Sequence, residues 1–167
     1  MRPINLLVVH CSATPANQNI GAVELDRMHR ERGFFRSKPV GNLNLTGIGY
    51  HYVIRRDGSI ERGRDDSEVG AHAVGFNAKS LGICLVGGVE KSTDVTKLST
   101  GEVTKFKAVD NFTLDQKHTL ATLLIKLGVT YQTTNILGHR DLPAVHKDCP
   151  SFDVKAWVKA TIPTFAK

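Results

Sequence analysis

The chain has 167 residues, 41% hydrophobic and 23% charged, a length and composition that suit one soluble core and exclude a fibrous or low-complexity polymer. No apolar run is long enough to span a bilayer, so membrane insertion is not expected. The net charge of +6 favours an anionic partner, such as nucleic acid or an anionic cell wall; with no arginine-clustered helix and no basic–aromatic alternation, nucleic acid is not expected.

In chain order, residues 4–10 (INLLVVH) read as a strand buried on both faces. The run is too short and strand-like for a secretory signal, so the chain is expected to be made in the cytoplasm. Residues 22–33 read as a helix closed at Gly33, and 34–48 as loop. Residues 49–56 (GYHYVIRR) read as a strand that turns at Asp57–Gly58 into a returning one. Residues 64–80 are irregular, 81–86 (LGICLV) a buried strand, and 87–112 a long polar loop or flap. Thr113 to Gln116 form a capping box, Leu120, Leu123, Leu124 and Leu127 follow at helical spacing, and Gly128 closes that helix. A short strand at 135–138 leads into loop, and Asp153 can cap a last helix that holds Trp157. The alternation predicts an α/β fold, one domain over 1–167, with a mixed central sheet flanked by helices on both faces.

Three widely spaced cysteines, Cys11, Cys84 and Cys149, argue against a disulfide framework, and Cys84 reads as core. His10 closes the first strand, His139 follows the strand at 135–138, and Cys149 stands in a loop between Pro143 and Pro150. Two imidazoles and one thiolate make a three-ligand set with a free fourth position, the arrangement of a catalytic Zn²⁺. No CxxC or HxxxH pair is present, so spacing alone leaves open two strand-end histidines hydrogen-bonded at the surface and a buried cysteine.

The ordered motifs HCSAT (10–14), GYHYVIRRDG (49–58), VGAHAVGFN (69–77), LGICLVGG (81–88) and LGHRDLPAVHKDCPSFD (137–153) are more specific. From about residue 4 to 158 the chain resembles the phage-type N-acetylmuramoyl-L-alanine amidases, a zinc family that includes the peptidoglycan recognition proteins. The resemblance implies His10, His139 and Cys149 as zinc ligands, Tyr50 beside the reacting water, and Lys147 as the catalytic lysine. It implies His72 and Asn77 as groove residues in contact with peptidoglycan. It further implies a compact phage endolysin that reaches the wall through a holin-type pore; a monomer is the default expectation. His51 is expected to be structural, His29 and His118 to lie on the surface, and His146 to compete weakly as a ligand. Cys11 should face away from His10, and Asp141 could orient His139. Two other classes stay open: a peptidoglycan-binding module without activity, and a regulatory protein that contacts nucleic acid or polymerase.

Overall fold

The structure, a computed structural model, describes residues 2–98 and 101–165, with the backbone alone over 92–105. The elements run β1 (Leu6–Cys11), β2 (Thr14–Pro15), α1 (Ala22–Glu31), β3 (Tyr52–Ile54), β4 (Ile60–Arg62), β5 (Ser80–Leu85), β6 (Gly88–Leu98), β7 (Gly101–Ala108), α2 (Leu114–Tyr131), β8 (Ile136–Gly138) and α3 (Val154–Thr161). Short 3₁₀ turns lie at Asn77–Lys79, His139–Asp141 and Pro163–Phe165.

All six residues of β1 are buried. A strand is buried on both faces only inside a covered sheet, and β1 lies between β5 and β8, parallel to both, in a five-stranded sheet of order β4-β3-β5-β1-β8. Only β3 and β4, joined at Asp57–Gly58, pair antiparallel within it. Side-chain alternation divides β1 between two cores. Leu7 and Val9 pack with the leucines of α2 and with Val154 and Val158 of α3. Leu6 and Val8 pack on the opposite face with Ala73 and Leu142. Ala22 and Leu25 of α1 cover Val53, Cys84 and Val86 beside them. Helices therefore flank both faces of a mixed sheet, as the alternation predicted. Each fully buried leucine or valine contributes about 1.5–3 kcal/mol.

Both predicted helix starts hold. Thr113 accepts from the Gln116 amide in a capping box, and Asp153 accepts from the Ala156 amide. Three expectations are corrected. The helix expected to stop at Gly128 continues to Tyr131 and ends at Gln132, whose φ is 51°. Gly128 is a packing residue: a Cβ there would come within 2.6 Å of the Phe165 ring. The strand expected over 49–56 is confined to Tyr52–Ile54, although His51 N–H still donates to the Gly82 carbonyl and Arg64 N–H to the Tyr50 carbonyl. The expected loop at 87–112 is largely an antiparallel hairpin, β6 with β7, and Thr14–Pro15 pairs with β6 to make a second, three-stranded sheet. Its sequence lacks apolar alternation, but β-branched Val89, Thr93, Val95, Thr96, Val103 and Thr104 suit an extended backbone. Among the described residues no helix is long and apolar enough to cross a membrane.

Candidate metal centre

β1 and β8 are parallel neighbours, so their C-terminal ends leave the sheet at the same edge, where ligand sites of α/β sheets form. Val9 stands opposite Gly138 in the ladder, which brings the next residues, His10 and His139, side by side with ring centroids 4.6 Å apart. The third group arrives on the following loop. The Arg140 amide donates to the Cys149 carbonyl at 2.8 Å, and Ser151 Oγ donates to the Gly88 carbonyl at 2.6 Å. The Cys11 amide points at Cys149 Sγ, 3.3 Å away, and favours a thiolate, but the Cys11 thiol and then burial push the Cys149 thiol well above its ordinary range. Single donor atoms of His10, His139 and Cys149 all lie within 4.8 Å of one another.

Which nitrogen of His10 faces that cluster follows from its neighbours. Cys149 Sγ lies 3.8 Å from His10 Nδ1, while Nε2 sits 3.0 Å from His72 Nδ1. Ser80 Oγ donates to the Phe76 carbonyl at 2.9 Å and lies 3.3 Å from His72 Nε2. One assignment of protons satisfies the chain: His10 Nε2–H donates to His72, His72 Nε2–H donates to Ser80, and the hydroxyl donates to the backbone. This leaves a lone pair on His10 Nδ1, directed at the cluster. Such a partner behind a metal-binding histidine fixes its tautomer and ring angle. The His72 ring fits only because β5 carries Gly82, where a Cβ would come within 2.5 Å of it.

The electrostatics of the imidazoles agree. Burial, then the neighbouring His72 and His139, hold His10 well below the usual histidine range. Burial holds His72 down likewise. Burial, then the Lys147 charge, lowers His139. All three imidazoles are neutral at pH 7 and can offer lone pairs. Burial, then the nearby thiols, pushes the Tyr50 phenol well above its ordinary value. Tyr50 packs 5.2 Å from the His10 ring.

These groups open into a cavity of about 630 Å³ whose walls include Tyr50, His72, Asn77, His146 and Lys147. The five residues put forward as ligands and catalytic groups are thus brought together. His72 and Asn77 line the same cavity, but both ring nitrogens of His72 and Oδ1 of Asn77 have protein partners. Asn77 Oδ1 accepts from the His72 and Ala73 amides at 2.9 and 2.8 Å, which braces the loop that carries His72. Asp141 accepts from the Gly138 amide at 2.8 Å and so shapes the turn beneath His139. Cys11 was expected to face away from His10, but its thiol lies against that of Cys149 and Cys11 lines the same cavity. His51 is buried and structural as expected: Gly82 N–H donates to its Nδ1 at 3.0 Å, and its Nε2 lies 3.1 Å from the Glu68 carbonyl. His118 is exposed, and exposed His146 lines the cavity outside the ligand cluster.

His29 is a correction. Expected on the surface, it is 5% exposed, accepts from the Gly49 amide at Nδ1, and packs 5.1 Å from the Tyr50 ring. Ala22, Leu25, Asp26 and His29 recur at helical spacing on the buried side of α1, a signal present in the sequence but hidden by the charges around it. Ser80 was also missed, because nothing in its sequence context marks a hydroxyl that supports a histidine.

The sequence profile of the N-acetylmuramoyl-L-alanine amidases matches residues 1–152, a span that holds every residue of the cluster. The chain belongs to this family. Among relatives of this amidase, the endolysin of Enterobacteria phage T3 is 39% identical over 151 residues, covering 90% of this chain and 83% of that one. The endolysin of Escherichia phage T7 is 38% identical over the same share of each. The structure of the N-acetylmuramoyl-L-alanine amidase LysC from Clostridium intestinale superposes with a TM-score of 0.69 at 27% identity, covering 97% of this chain and 87% of that chain. Drosophila PGRP-LB, at 22% identity and a TM-score of 0.64, shares the fold.

Proposed function

We propose that this amidase, acting as one domain, hydrolyses the bond between the lactyl group of N-acetylmuramic acid and the L-alanine of the stem peptide, with Zn²⁺ held by His10, His139 and Cys149. The carrying observation is the convergence of two imidazole nitrogens and one sulfur within 4.8 Å at the wall of an open cavity. Zn–N bonds of about 2.0–2.1 Å and a Zn–S bond of about 2.3 Å in a tetrahedron separate the donors by roughly 3.3–3.6 Å, so the present spacing needs only a small contraction. Nitrogen and sulfur donors favour zinc over magnesium or calcium. Zinc supplies Lewis acidity there, polarising a carbonyl and making water acidic near neutral pH.

The remaining work belongs to the chain. His72 and Ser80 hold His10 in the tautomer that presents Nδ1. Tyr50 keeps its proton across the neutral range, so it positions the attacking water by hydrogen bonding and does not act as a base. The Lys147 ammonium lines the cavity near His139 and stabilises negative charge that develops on the scissile carbonyl oxygen; one such donor contributes about 3–4 kcal/mol in the transition state. The biological setting is lysis of a phage host, with release to the wall through a holin-type pore.

The test is to incubate purified walls with the protein and assay new termini. Free L-alanine amino groups are expected, and none after chelation. Reducing sugar ends would identify a muramidase, and the absence of both would leave only a binder.

A further inference from the structure

The three cysteines stand too far apart along the chain for a disulfide framework, yet the fold brings two of them into contact. Cys11 ends β1, and Cys149 stands in the loop between β8 and α3. The Cys11 thiol lies against that of Cys149, and the Cys11 amide is 3.3 Å from Cys149 Sγ. Both backbones are held in place. Cys11 stands opposite Leu85 in the parallel ladder of β1 and β5. The Arg140 amide donates to the Cys149 carbonyl, and Ser151 Oγ, itself bonded to the Gly88 carbonyl, lies 3.8 Å from Cys11 Sγ. Gly88 bounds the thiol on another side: a Cβ there would come within 2.8 Å of Cys11 Sγ, so the missing side chain leaves room for it.

Access separates the three thiols. Cys11 and Cys149 line the open cavity, where small solutes can enter. Cys84 is fully buried in the core and is no part of the cavity wall.

We infer that Cys11 and Cys149 are a redox site: in the metal-free chain a small disulfide oxidant converts them to a Cys11–Cys149 disulfide, which removes the sulfur ligand and switches zinc binding off. The thiolate of one cysteine attacks a sulfur of the oxidant, breaks its S–S bond and releases one small thiol, leaving a mixed disulfide on the protein. The second cysteine, already in contact, attacks that protein sulfur and releases the other small thiol. Two protein thiols are oxidised, one oxidant disulfide is reduced, and the two cysteine protons end on the released thiols. Only a thiolate serves as a metal ligand, so the chain holds zinc or this bond and not both. That exclusivity rests on the reading of Cys149 as a zinc ligand; the bond itself does not. Thiols stay reduced in a cytoplasm and oxidise outside it, so the device silences chains that lose their metal after release.

The experiment equilibrates the chelator-stripped protein in buffers of reduced and oxidised glutathione. Non-reducing peptide mass spectrometry then maps the cysteines, and zinc Kd is measured by chelator competition after the glutathione is removed. A linked Cys11–Cys149 peptide pair is expected, with Cys84 a free thiol, zinc binding weaker by more than about a hundredfold, and recovery in dithiothreitol. Cys11→Ser and Cys11→Ala should each keep, after the same treatment, the zinc affinity they show when reduced. Saturating zinc should protect the wild type from oxidation. A map without the linked pair, or a Cys11 variant that loses zinc as steeply as wild type, overturns the inference. The map is read on the wild type and does not depend on how either variant folds. If the bond forms as fast with zinc as without it, the redox site stands and the reading of Cys149 as a zinc ligand fails.

Discussion

Replacing His72 by alanine isolates the support behind the first ligand. The variant deletes the acceptor of the His10 Nε2–H, 3.0 Å away, from a ring only 1% exposed. An unpaired buried donor costs about 1–3 kcal/mol, and at about 1.4 kcal/mol per decade this predicts zinc binding weaker by roughly ten- to a hundredfold. The same range is typical when the partner of a metal-bound histidine is lost. The assay is the zinc dissociation constant by chelator competition, with thermal melts of the metal-free forms to confirm folding. His72→Asn, whose amide oxygen can accept the same proton, should recover most of the affinity. Binding by the alanine variant within twofold of wild type would refute the relay.

Other consequences follow from the same geometry. Gly82→Ala drives a methyl to within 2.5 Å of the His72 ring and should weaken zinc binding to a similar extent while β5 still forms, as measured by the same competition and by circular dichroism. Tyr50→Phe and Lys147→Met should each cut kcat on muramoyl peptides by about a hundredfold or more with zinc retained; loss of zinc in either would move that residue into the ligand set. Stability should fall on acidification. Burial holds His51 down to about 4 against its ordinary 6.5, so between these values the unfolded chain binds the extra proton and the native state does not. Native stability is therefore full above pH 6.5 and declines toward pH 4, by about 3 kcal/mol from this residue alone. Urea titrations across that window should show a smaller slope for His51→Gln than for wild type, and equal slopes would contradict the assignment.

The strands and their buried faces were legible because their apolar runs are unbroken, and α2 because a capping box meets leucines at helical spacing. His10, His139 and Cys149 were legible as candidates through the motifs around them, but their convergence depends on β1 and β8 being parallel neighbours, which spacing along the chain does not encode. The hairpin at 88–108 was misread because it lacks apolar alternation, the usual mark of a half-buried strand. His29 was misread because the charges of α1 hide the buried stripe it belongs to, and Ser80 because its importance lies in a bond to a residue eight positions upstream.

X-ray absorption at the zinc edge of the loaded protein tests the central claim most directly. The account predicts one sulfur at about 2.3 Å, two imidazole nitrogens at about 2.0–2.1 Å and one light oxygen donor, with the sulfur lost in Cys149→Ser. A shell without sulfur, one with two sulfurs, or one closed by a fourth protein ligand would contradict it.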